Sequence, residues 1–87
     1  MNVQFRTSFS KDLRNIKNKN LLNRIKEVIE HVEKAQSLQV ISNFKKLKGG
    51  SNFYCIRVGE YRIGLTIENN TVFFVRCLNR KEIYRYF

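Results

Sequence analysis

Arg57, Arg62 and Arg76 occupy positions that three consecutive strands would turn to one side of a sheet. A guanidinium keeps its proton at any useful pH and offers planar, paired donors that match a phosphate or a carboxylate. Arginine is also an ordinary residue for the wet side of a half-exposed sheet. Like charges facing one another across strands are destabilising, however, unless something else needs them there. The cluster therefore points to a face that receives an anion. A second basic group, Lys45, Lys46 and Lys48, surrounds Phe44 and Leu47 just before Gly49-Gly50. It reads either as a phosphate-contacting loop or as a solvated one.

The arginines depend on the stretch from Phe53 to Phe87, which reads as three strands and a short tail containing Tyr84, Tyr86 and Phe87. Gly59-Glu60 and Glu68-Asn69-Asn70-Thr71 supply its turns, since glycine and asparagine tolerate the positive φ of tight hairpins. Strict alternation places Tyr54, Ile56, Val58, Tyr61, Ile63, Leu65, Ile67, Phe73, Val75 and Cys77 on a core face. Cys55, Arg57, Arg62, Gly64, Thr66, Phe74, Arg76 and Leu78 then fall on the other.

The remainder supplies a scaffold. Asn2 to Arg6 alternates as a short strand, with Val3 and Phe5 on one side and Gln4 and Arg6 on the other. Phe9, Leu13 and Ile16 follow at helical spacing, with Ser8 available as an N-cap and Lys11, Asp12, Arg14 and Lys17 forming a solvated face. Asn18-Lys19-Asn20 breaks this helix and offers a second capping asparagine. Leu21, Leu22, Ile25, Val28, Ile29 and Val32 then continue a helical stripe, and His31 lies away from it as a surface residue. Leu38, Val40 and Ile41 pin the following connection to the core.

Residues 1–87 are enough for one domain, burying about 60–65% of the unfolded surface. The net charge of +10, from 17 basic against 7 acidic residues, creates a long-range field suited to nucleic acid, an anionic membrane surface or an acidic protein. No apolar run reaches the roughly 18 residues of a membrane span, and MNVQFRTSF is not a signal peptide. A cytoplasmic protein is expected. Cys55 and Cys77 fall on opposite faces of non-adjacent strands, too poorly placed for a disulfide. With one histidine, zinc spacing is absent, and so are phosphate loops, paired carboxylates and a serine–histidine pair. We expect no metal and no cofactor.

The words KKLKGG, IRVGEYRIG and NRKEIYRYF, in this order, resemble the RelE and ParE superfamily of toxins from type II toxin–antitoxin systems. The likeness spans nearly the whole chain, and Tyr61-Arg62 in its strand-turn-strand word is its most specific part. It implies an α+β fold: two N-terminal helices packed on one face of a four-stranded, mainly antiparallel twisted sheet, with a short C-terminal tail or helix.

For function the resemblance implies one of two activities. RelE-like members cleave messenger RNA on the ribosome without a metal, whereas ParE-like members inhibit DNA gyrase by binding. A basic nucleic-acid-binding module without activity is a third reading of the residues. The RelE-like residues favour the endoribonuclease. Arg57 and Arg62 match the phosphate-binding positions, Arg80 resembles the C-terminal arginine, and Tyr84 stands where the family keeps a tyrosine that acts as general acid or stacks on a base. A phenol with an ordinary pKa of about 10 serves as an acid only if its neighbours adjust it. Lys45, Lys46, Lys48 and Arg76 would hold RNA. Cys55 departs from RelE, which has lysine there, leaving Lys46, Lys48 and Glu82 as candidate bases. The implied partners are the ribosome with its mRNA and a cognate antitoxin in a hetero-oligomer, with Phe74 and Leu78 as contacts for an antitoxin segment.

Overall fold

Residues 1–36 and 53–85, with the backbone of 44–46, are described by the computed structural model. The chain runs β1 (Asn2–Phe5), α1 (Thr7–Arg14), α2 (Lys19–Lys34), β2 (Phe44–Lys46), β3 (Phe53–Val58), β4 (Tyr61–Glu68), β5 (Thr71–Asn79) and α3 (Arg80–Ile83). The sheet order is β1-β5-β4-β3-β2. Three of the four pairings are antiparallel and β1 runs parallel to β5, so the sheet is mixed. The α+β fold expected from sequence is present, and β2 adds a fifth strand. Phe44–Lys46 had read as part of a loop, because three residues are too few to show alternation. Leu38, Val40, Ile41, Lys48, Tyr86 and Phe87 lie outside the described residues.

The helices form where the apolar period is 3.6, and each buries that stripe against the sheet. In α2, the Asn18 side chain accepts from the Leu21 N–H at 3.1 Å, the expected cap, and Ile25 and Val32 are fully buried. His31 is exposed. α1 starts differently. Arg6 holds the N-cap position without a side-chain bond, and the Ser8 hydroxyl instead donates to the Val75 carbonyl at 2.6 Å. Ser8 thus joins α1 to β5 rather than capping its own helix. Phe9 packs against Phe5 and Phe74, with centroids 5.9 and 5.4 Å away, and those two rings stack on each other at 5.3 Å. Burying a phenylalanine contributes about 1.5–3 kcal/mol, enough to hold a two-turn helix in place.

The core contains Phe9, Ile16, Ile25, Val32, Ile56, Val58, Ile63, Leu65, Val72, Phe74 and Cys77. Alternation in β3 and β4 therefore reads as expected. In β5 it fails at one point. Gly64 faces Arg76 while Leu65 faces Phe74, so Val75 is a bulged residue. One extra residue reverses the parity of everything before it. Phe74 is consequently a fully buried core residue and Phe73 turns to the other face, the reverse of the expectation. Phe74 cannot serve as an exposed contact for a partner.

Candidate anion-binding site

Directly opposed residues in a ladder share a face, and Arg57 is paired with Arg62, which is paired in turn with Leu78. Ile56 with Ile63 and Val58 with Tyr61 turn to the helix-covered side. Arg57 and Arg62 therefore lie side by side on the opposite face. Arg57 is exposed and Arg62 is half-buried.

Backbone groups at the β3–β4 turn hold Arg62. Its Nη1 donates to the carbonyls of Gly59 and Tyr61, each at 3.0 Å. Gly59 has φ +61°, a left-handed conformation that suits glycine. The turn also anchors the third arginine. The Arg80 N–H donates to the Glu60 carbonyl at 2.9 Å, and its Nε lies 3.1 Å from Glu60 Oε2.

Arg80 opens α3, where the Asn79 side chain accepts from the Lys81 N–H at 3.0 Å. Ile83 is fully buried yet stands apart from the main core cluster, as does Cys55. Ile83 thus fixes α3 on β4 and β5. Tyr84 follows at the C-cap and is 56% exposed. Four positions separate it from Arg80, so the two stand one helical turn apart.

Arg76 goes elsewhere. Its Nε and Nη2 bind Asp12 at 2.8 and 3.0 Å, and Asp12 Oδ2 also accepts from the Cys77 N–H at 2.9 Å. The guanidinium ties α1 to the edge of β5 beyond the end of β1. Asp12 had been read as solvated, but only 7% of it is exposed. Its position was legible, since Phe9, Asp12, Leu13 and Ile16 keep the i, i+3, i+4, i+7 rhythm. The carboxylate among them was the signal of a buried pair. Burial pushes the Cys77 thiol up to about 12, and the Asp12 charge adds to the rise. Both cysteines are buried.

Lys45 and Lys46 enter the sheet opposite Cys55 and Tyr54, which brings their backbone beside the arginine strands; their side chains lie outside the described residues. Arg6, which the sequence places on the polar side of the first strand as an extension of the arginine face, stacks its guanidinium 4.5 Å from the Phe73 centroid on that face. Among the described residues no group of three or more His, Cys, Asp or Glu side chains could hold a metal. None of their helices is long and apolar enough to cross a membrane.

Two helices on one side of a mixed sheet, with guanidinium groups gathered at one end of the other side, define a small basic α+β protein with a cationic patch. The chain belongs to the family described as "ParE toxin of type II toxin-antitoxin system, parDE", whose model matches residues 3–84. It is 43% identical over 88 residues to Toxin RelE3 of Methanocaldococcus jannaschii, covering 100% of this chain and 99% of that protein. In structure it is similar to the toxin of the RelB–RelE antitoxin–toxin complex from Methanococcus jannaschii. The TM-score there is 0.83 and the identity 42%, over 97% of this chain and 98% of that one. The YoeB–YefM complex from Staphylococcus aureus shares the fold, with a TM-score of 0.72 at 23% identity over 92% and 97% of the two chains. The protein is thus a RelE-like type II toxin.

Proposed function

We propose that this toxin is a cytoplasmic endoribonuclease that cleaves mRNA on the ribosome and stops translation. The observation that carries the reading is the direct pairing of Arg57 with Arg62 beside the turn that binds Arg80.

In the proposed reaction the 2′-oxygen of a ribose attacks the adjacent phosphorus. The 2′-O–P bond forms, the P–O5′ bond breaks, and the products are a 2′,3′-cyclic phosphate and a 5′-hydroxyl. Arg57, Arg62 and Arg80 offset the charge that grows on the non-bridging oxygens, where fixed donors contribute most. Tyr84, exposed beside Arg80, gives its proton to the departing 5′-oxygen. The proton of the attacking 2′-hydroxyl passes to one of the candidate bases Lys46, Lys48 and Glu82, the last of which is exposed on α3 between Arg80 and Tyr84. Lys45, Lys46 and Lys48 are the lysines assigned to hold the RNA.

Because related toxins are found with RelB or YefM, a cognate antitoxin is the second partner, forming a hetero-oligomer that covers the arginine face. The ParE description of the matching family favours a second reading, gyrase inhibition by binding. Brief induction followed by mapping of RNA 5′ ends separates the two. Cuts within translated messages that vanish in Arg62→Ala are expected. Intact messages together with inhibited supercoiling by purified gyrase would contradict cleavage.

A further inference from the structure

One arginine at the β3–β4 turn has no part in the chemistry above. Arg24 comes from α2, on the helix-covered side of the sheet, and is exposed. Its Nη1 approaches Gly59 so closely that a Cβ there would lie 3.2 Å away. Gly59 thus meets two guanidinium groups, Arg24 beside its Cα and Arg62 on its carbonyl. The adjacent Glu60 holds Arg80. Three cations from α2, β4 and α3 converge on a two-residue turn whose single carboxylate is Glu60. Bringing like charges together in this way costs free energy, and one carboxylate offsets only part of it.

The carboxylate is also held loosely. Glu60 and Arg80 are 71% and 53% exposed, conditions under which an ion pair contributes little and exchanges readily. A backbone phosphodiester supplies the same paired acceptor geometry and the same single negative charge. We infer that Arg24 forms a phosphate subsite beside the Gly59–Glu60 turn, taken by the RNA backbone phosphate next to the reacting one that Arg80 helps to hold, with the nearby Glu60 carboxylate opposing that binding. The strand then leaves the arginine face, crosses the end of the sheet and reaches α2. The inference rests on the RNA-cleaving reading, and it adds a second contact outside the reacting phosphate.

The test is the affinity of the full chain for a short 2′-O-methyl RNA, which lacks the attacking hydroxyl, measured across a salt series. Each phosphate contact on a single strand contributes about 0.7 to the slope of log affinity against log salt. Arg24→Gln should lower that slope by about 0.7 and weaken low-salt binding several-fold, while Arg24→Lys retains the slope. Glu60→Gln should tighten binding several-fold at low salt, an advantage that fades as salt rises. Arg14→Gln, which removes an exposed charge from α1, should lower the slope by much less. An unchanged slope in Arg24→Gln, or an equal loss in Arg14→Gln, overturns the subsite while parent binding still supports the wider reading. Absence of salt-dependent binding by the parent overturns both.

Discussion

Two arginine–carboxylate pairs lie at different places in the sheet and do opposite work. Arg76–Asp12 is bidentate, its carboxylate is 7% exposed, and it also accepts a backbone N–H. Arg80–Glu60 is a single contact between groups that are more than half exposed. In the first pair both carboxylate oxygens are held by protein donors, so the guanidinium holds α1 and the bulged edge of β5 together. In the second, water and ligands compete for both groups, and the arginine remains available to a phosphate. Residue type alone would treat the two arginines alike. Burial and the number of partners separate them.

Breaking the buried pair should have the largest effect. Asp12→Ala removes the carboxylate shared by a partly buried guanidinium and the Cys77 N–H, and a loss of about 3 kcal/mol in urea unfolding is expected. The exposed pair should behave otherwise, with Glu60→Gln changing stability by less than about 0.5 kcal/mol. If the two variants unfolded at the same urea concentration, the contrast between anchor and exchangeable contact would be wrong.

A finer probe is Cys77, which sits beside Asp12. Its thiol is pushed up to about 12 from an ordinary value of 9.0, mainly by burial. A group whose folded pKa is raised supports folding below its unfolded pKa, and that support is lost as pH climbs towards the folded value. Stability should thus hold up to about pH 9 and then fall towards pH 12, more steeply than in Cys77→Ala. Equal slopes in parent and variant would remove Cys77 from the account.

Much of this arrangement was legible in the chain. Hairpin alternation placed Arg57 and Arg62 on one face, and apolar spacing located both helices. The bulge at Val75 was not, because parity counting assumes unbroken pairing and nothing in TVFFVRCLN marks the extra residue. Phe73 and Phe74 were exchanged for that reason alone. Asp12 was misread because a carboxylate is usually solvated, although its spacing placed it with Phe9 and Ile16. The Glu60–Arg80 pair depends on α3 following β5 back to the β3–β4 turn, a long-range contact that no local pattern encodes. Arg24 is a similar case, meeting Gly59 only after α2 packs on the sheet.

The central claim is that Arg57 and Arg62 act on one phosphate. A double-mutant cycle on ribosome-dependent mRNA cleavage tests it directly, using Arg57→Ala, Arg62→Ala and the double variant. Each single variant is expected to lose at least about 100-fold in rate, as when a transition-state donor is removed. The double variant should lose far less than the product of the two. Fully multiplicative losses, or cleavage as fast as in the parent, would show that these guanidinium groups do not share a reacting anion.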